Sequence, residues 1–359
     1  MSTTSKSGAV AHADPSRSSG LYRVAIVGAA TLKGKEVAEV LTNRNFPSVD
    51  VKLLDDDESL GRLEPIGDEV SFIQNLRPEQ FQHIDFTFFA SDQERTRKTW
   101  KTAQQAGSAI VDLSAALESE PQAMIRSSWV ERQLGQMPAP ELQPAPVVVA
   151  HPAAVVLALL LLRLQNSGAI KRAVATVFEP ASEHGQKGID ELHEQTVNLL
   201  SFQPLPKKIF DTQVAFNMVS RYGEQSVPAL AAVEQRVLKH YQHIVGDASP
   251  IPSLLLIQAP IFHGHAFGLH VEMATPADIE SLSKILPGDH VKLANVPEDS
   301  PTNVNAAGQG DILVSVLPDG SLPNAFWLWA AADNLRIAAA NAVECAESMA
   351  ASRPKGQIQ

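Results

Sequence analysis

The run Gly28-Ala29-Ala30-Thr31-Leu32-Lys33-Gly34 follows a β-branched stretch and opens a helical pattern. Glycines in such a place let the backbone turn tightly and bring N–H groups against a pyrophosphate. The middle glycine of a G-x-x-G-x-x-G loop is Thr31 here, so a Cβ intrudes where the phosphate would pass. Gly28, Thr31 and Gly34 therefore read either as a dinucleotide loop or as an ordinary strand–helix turn. Asp55 ends the next strand-like run, where an acid would bond a ribose 2′-hydroxyl. The run Asp55-Asp56-Asp57-Glu58 would repel a 2′-phosphate. A bound dinucleotide is thus expected to be NAD rather than NADP, and weakly held; a solvated acidic loop is the plainer alternative.

Other reactive residues carry less. Cys345 is the single cysteine and lies among alanines in a helical pattern, without the His or helix N-terminus that activates a thiol, so a packing role is expected. One cysteine also excludes a disulfide framework, a cysteine zinc site and an iron–sulfur cluster. His263 and His265 flank Gly264 at strand spacing, but no third or fourth ligand is near, so no metal is expected. Ser182-Glu183-His184 reads as a polar loop. No G-x-S-x-G run and no P-loop is present. A net charge of −11 argues against nucleic acid, whose phosphates need clustered Lys and Arg.

The positioning elements follow from periodicity. Tyr22–Val27, Val51–Leu54, Asp85–Ala90 and Ala109–Asp112 read as strands, alternating with helices over Lys33–Asn43 and Gln93–Ala106. That alternation implies βαβ units, a mainly parallel sheet and a Rossmann-type domain. Ser119–Pro146 has several prolines and few periodic apolar residues, and reads as a boundary or insertion. Strand Val147–Ala150 and helix Pro152–Gln165 follow. The apolar stretch Ala153–Leu162 is too short to span a bilayer, so a core helix is expected.

Further on, Ala173–Phe178, Leu254–Ala259, Ala266–Met273, Ile312–Val316 and Ala325–Ala331 read as strands. Ile189–Leu200, Pro228–Val245 and Leu335–Met349 read as helices. Strands following strands predict an α+β domain with a mixed or antiparallel sheet. The expected division is a disordered tail over 1–20, a dinucleotide-binding domain over 21–150, a substrate and dimerisation domain over 151–332, and a closing helix in 333–359 that returns to the first domain. With no signal-like run or membrane span, a cytoplasmic location is expected.

Several stretches, in order, resemble the aspartate-semialdehyde dehydrogenase family. They include Val24–Gly28, Arg44–Pro47, Gly185–Leu192 before Gln195-Thr196, Val214–Asn217, Pro260–His265, Asn305–Gly308 and Trp329–Arg336, the last containing Asn334. The resemblance runs from about Tyr22 to Ala350. It implies a Rossmann-type domain completed by the C-terminal helix, and an α+β domain that builds a homodimer. It also implies chemistry in which a cysteine thiolate attacks an acyl phosphate or aldehyde, a histidine moves the proton and NADP(H) exchanges hydride.

The same resemblance shows what this chain has changed. The family's Asn-Pro-Asn-Cys run is His151-Pro152-Ala153-Ala154, so the nucleophile's position is Ala154, followed by Val155 and Val156. Glu179 stands for a glutamine, Glu118 for a phosphate-contacting arginine, Gln258 for the arginine that binds the substrate carboxylate, and Leu230 for a lysine. Among these positions His265 persists. The leading expectation is a catalytically silent paralogue acting as a binding or regulatory partner, possessing Asn334 and the glycine loop as cofactor contacts. The rival is an enzyme of altered chemistry, with Glu179 and His265 as an acid–base pair on another small substrate.

Overall fold

The computed structural model describes residues 21–56, 58–67, 69–136, 144–276, 278–294 and 299–352. The expected tail over 1–20 and the last residues of the chain lie outside them.

The first sheet orders seven strands as β5-β2-β1-β6-β7-β9-β8. These are β1 (Tyr22–Val27), β2 (Ser48–Asp55), β5 (Gln74–Asn75), β6 (Phe86–Phe89), β7 (Ala109–Asp112), β8 (Met124–Arg126) and β9 (Val147–Val149). A small hairpin, β3 (Leu63–Ile66) with β4 (Glu69–Phe72), lies outside that sheet. All pairings in the sheet are parallel. Its central strands are buried along their length, as a parallel sheet covered on both faces requires. The covering helices are α1 (Leu32–Asn43), α2 (Gln93–Gln105), α3 (Ser128–Gln133) and the closing helix α9 (Asn334–Ser352). Helix α9 packs on α1 and is tied to it by Arg44 with Glu344 and Glu347, and by Arg336 with Glu36.

The region expected to be an insertion, Ser119–Pro146, instead contributes β8 and α3 to this domain. Both are too short for a period to show. They are held by burial of Ile125, Trp129 and Val130 and by β8 pairing with β9.

The second sheet orders six strands as β11-β10-β12-β15-β14-β13. They are β10 (Ile170–Glu179), β11 (Ser253–Gln258), β12 (His265–Met273), β13 (Val291–Leu293), β14 (Ile312–Pro318) and β15 (Ala325–Ala332). The sheet is mixed: β10 with β11 and β13 with β14 are parallel, the rest antiparallel. Helices α4 (Pro152–Gln165), α6 (Leu230–Val245) and α7 (Ile279–Ile285) cover one face. Helix α4 is apolar all round and buried from Pro152 to Leu164, the mark of a core helix. Helix α5 (Gly185–Leu200) packs toward α1, and α8 (Asn303–Ala306) sits by β15.

Candidate functional site

Three strand ends meet beside the start of α4. Glu179 is the last residue of β10 and pairs in register with Gln258, the last of β11. Phe178 opposes Ala266, which places His265 next to Glu179 on the antiparallel side. All three are fully buried, as is Ala154 in the first turn of α4. The structure thus brings Glu179, Gln258 and His265 together, and the start of α4 reaches them through His151, whose ring centre is 5.8 Å from that of His265, with Ala154 in the turn that follows.

Each member has a distinct polar environment. Gln258 donates through Nε2 to the carbonyls of Glu179 (3.0 Å) and Ala259 (2.8 Å), and its Oε1 accepts from the Tyr222 hydroxyl at 2.7 Å. His184 Nε2 lies 3.0 Å from the same hydroxyl, which accepts its proton. Burial pulls His184 down to about 4, so the ring is neutral. Glu179 is different: neither carboxylate oxygen has a hydrogen bond of good geometry among the described residues, and the nearby Tyr222 hydroxyl, which acts on it, gives its proton to Gln258 instead. Burial, and next the charge of Glu183, push its carboxyl well above the usual range, so it is held as the neutral acid. Neither ring nitrogen of His265 makes a hydrogen bond among the described residues, and burial lowers its pKa against the opposing pull of Glu183.

Glu183 is the hub. Its Oε1 accepts from Asn334 Nδ2 at 2.9 Å and lies 3.9 Å from His265 Nε2. Its Oε2 lies 3.8 Å from Lys33 Nζ and 3.9 Å from His151 Nε2. Burial alone would raise this carboxyl, but the Lys33 charge and the Asn334 bond outweigh it and hold Glu183 ionised. His151 caps α4: its Nδ1 accepts from the Ala153 N–H at 3.2 Å, which assigns the proton to Nε2, facing Glu183. Burial, against the opposing pull of Glu183, drives His151 down to about 3. Lys33 belongs to α1 and Glu183 to the segment before α5, so this cluster clasps the two domains together.

Sequence reasoning missed Lys33, His151, Tyr222 and Glu183 as members of the site. No local pattern marks them, and Ser182-Glu183-His184 reads as a polar loop. Asn334, expected as a cofactor contact, opens α9 and is engaged internally: besides Glu183, its Oδ1 accepts from Ser182 Oγ (3.2 Å) and Gly264 N (3.1 Å). Glu118 is paired with Arg236 at 2.6 Å and with His240 at 2.8 Å, and through His240 Nδ1, which accepts from His151 N at 2.9 Å, it joins the start of α4; Leu230 is a buried apolar residue of α6. His263 and His265 do not share a strand, because Gly264 turns the chain at φ +80° and β12 begins after it. Among the described residues no group of three or more His, Cys, Asp or Glu could hold a metal. Cys345 is buried in α9, its thiol raised by desolvation.

The glycine loop fits a dinucleotide in part. A Cβ on Gly28 would meet Ser91 N at 2.5 Å, and one on Gly34 would meet Gly28 O at 2.1 Å, so both glycines are required by close packing. Thr31 is the N-cap of α1, and its Oγ1 accepts from Gly34 N at 3.0 Å. Only the Leu32 and Lys33 N–H groups remain without an intrahelical acceptor for a phosphate. Asp55 does not stand free for a ribose. Its Oδ2 accepts from Ala30 N at 2.8 Å, and its Oδ1 from Asp56 N (2.9 Å) and Arg95 Nη1 (2.8 Å). Arg95 also pairs with Asp56 at 2.6 Å, so two of the four acids in the expected repulsive run are compensated; Asp57 lies outside the described residues.

Two family models cover nearly all of this architecture. The semialdehyde dehydrogenase NAD binding domain matches residues 23–148, and the semialdehyde dehydrogenase dimerisation domain matches residues 161–337. An aspartate-semialdehyde dehydrogenase of Rickettsia bellii is 30% identical over 91% of this chain and 97% of its own length. The chain belongs to the aspartate-semialdehyde dehydrogenase family. A USG-1 protein homolog of Pseudomonas aeruginosa is 31% identical over 89% of this chain and 95% of its own. Among solved structures, aspartate semialdehyde dehydrogenase II of Vibrio cholerae, crystallised in complex with ASA, superposes at a TM-score of 0.80 with 26% identity, covering 92% of this chain and 98% of that one. Among the described residues, no helix of this family member is long and apolar enough to cross a membrane.

Proposed function

We propose that this chain is a catalytically silent member of its family, a scaffold that acts by binding, as a regulatory partner of an active dehydrogenase, rather than by turnover. The observation that carries this is Ala154. It lies in the first turn of α4, by the resemblance of His151–Ala154 the position of the family's cysteine, and a methyl group has no lone pair for acyl transfer. Supporting it, the Gln258 amide is engaged on both ends within the protein, and an amide cannot supply the charged fork that an arginine offers a carboxylate. Lys33, Glu183, His151 and His265 fill the border between the domains with a mutual cluster.

On this reading a nicotinamide dinucleotide, which in the family exchanges hydride, binds weakly at Gly28, Thr31 and Gly34, with the Leu32 and Lys33 N–H groups on the phosphates. NAD is preferred to NADP because Arg95 is occupied by Asp55 and Asp56 and is not free to meet a 2′-phosphate. The second domain pairs two copies into a homodimer. The deciding experiment is phosphate-dependent oxidation of aspartate semialdehyde with NAD and with NADP, beside a cysteine-containing relative. Background rates with both cofactors are expected; substantial turnover sinks the proposal.

One observation favours a second reading. Glu179 and His265 are buried, adjacent and without hydrogen bonds of good geometry among the described residues, an arrangement suited to a neutral acid donating a proton and a neutral imidazole accepting one. An enzyme using them on another small substrate would lose its activity on Glu179→Gln, whereas a silent scaffold has none to lose.

A further inference from the structure

A second cleft lies at the opposite end of α4. Arg163 is nine residues beyond Ala154, about 14 Å along the helix. It lines a cavity of about 280 Å³ between α3, α4 and the 285–290 segment. Arg163 is only 5% exposed. Its Nε donates to Gln133 Oε1 at 3.2 Å, Nη1 to Leu286 O at 2.5 Å and Nη2 to Asp289 O at 2.6 Å. Those acceptors are neutral, and no carboxylate of the described residues lies within 4.0 Å of Arg163. The Asp289 carboxylate acts on it from beyond that distance, burial outweighs that pull, and a buried guanidinium with no anion in direct contact is costly unless something anionic completes it. Three of its five N–H groups are engaged by these bonds, which leaves two.

The other walls suit a small anion with an apolar body. Arg132, half exposed, stands at the rim, where it reaches His290 Nε2 (3.1 Å) and Glu344. His290 stacks flat on Trp129 with ring centres 3.8 Å apart, and burial keeps the imidazole neutral and able to accept from Arg132. Leu159 and Ile285 line the apolar side, and the exposed Asp289 lies at the mouth with its carbonyl turned to Arg163.

We propose that this cleft binds a small oxyanionic molecule, its phosphate or carboxylate group seated on Arg163 with Arg132 closing from the rim. The site is separate from the border cluster and does not rest on the functional reading above.

The test titrates the full chain with inorganic phosphate and with succinate, following the change in total tryptophan fluorescence against sodium chloride at matched ionic strength. A saturable change with phosphate, with succinate or with both is expected, and which anion acts identifies the headgroup. Trp129→Phe should abolish the optical signal while heat of binding persists in calorimetry. Arg163→Gln could untie the 286–289 segment, so the charge is probed at the rim: Arg132→Gln should weaken binding about tenfold or more. A response that follows ionic strength alone, or saturable binding unmoved by Arg132→Gln, overturns the proposal.

Discussion

A thiol restored at Ala154 would enter a fully buried turn whose Ala153 N–H is already taken by His151. Ala154→Cys alone is therefore expected to leave phosphate-dependent dehydrogenase activity at background, since Gln258 still offers no cation to a substrate carboxylate. The new thiol should also resist iodoacetamide in the native protein; rapid labelling together with turnover would contradict this. Glu179 supports a prediction of opposite character. Its folded pKa is raised, so it favours the folded state below the ordinary value of 4.5 and loses that contribution as pH rises toward the folded value. Glu179→Gln removes the cost of a buried acid held neutral, and should stabilise the protein at pH 7 more than at pH 5. Urea midpoints at pH 5 and pH 7 check the sign. The histidines act the other way. His151 is depressed from 6.5 to about 3, so its contribution is present above pH 6.5 and is lost as pH falls toward about 3. Acidification from 6.5 should cost about 1.4 kcal/mol per pH unit for each such group, and His151→Gln should flatten that slope.

At the scale of elements, the helix α1 turn sets how well a dinucleotide can be held. Thr31 caps Gly34 N and so removes one donor from the phosphate cradle. Thr31→Gly should free that N–H and remove the intruding Cβ, at a cost of only a few tenths of a kcal/mol in helix stability. NAD binding measured by calorimetry should tighten; unchanged or weaker binding would show that Thr31 is not the obstacle. The β2 end shows how an element can redirect a residue. Asp55 had the chain position of a ribose ligand, but β2 runs beside β1 so that its carboxylate meets Ala30 N and Arg95 instead. Nothing in the acidic run itself announces a partner from α2, forty positions away.

For the whole molecule, α4, α6 and α7 lie on one face of the second sheet, and among the described residues the other face meets only the segment around Pro301 and the short α8, beside β15. The residues on that other face include Val174, Phe178, Leu255, Ile257, Trp327 and Trp329. Leu255 is 48% exposed and Trp327 45% exposed, large for apolar side chains in the middle of a sheet. An apolar sheet face of this kind marks an association surface, and two-fold pairing is its commonest closed form. Light scattering at micromolar concentration should give the mass of a dimer, and Leu255→Asp with Trp327→Arg should halve it. A wild-type monomer would show that the face is tolerated in water.

The sequence by itself determined the alternation of strands and helices, the family motifs, the single cysteine and the alanine at position 154, because each is written in a local run of residues. It also determined that the second half had apolar strands enough for a sheet. It did not determine which side of that sheet is free. Leu254, Leu255 and Leu256 are chemically identical, and only the pairing of β11 with β10 turns Leu256 inward and Leu255 out. A strand's side chains alternate, so a shift of one residue exchanges the faces. The clasp at Glu183 is illegible for a related reason. Lys33, His151, Glu183, His265 and Asn334 come from five separate stretches of chain, and their ionisation follows from burial among one another. Desolvation and Coulomb terms depend on distance in space, which no spacing along the chain encodes, so that cluster was decided by tertiary packing alone.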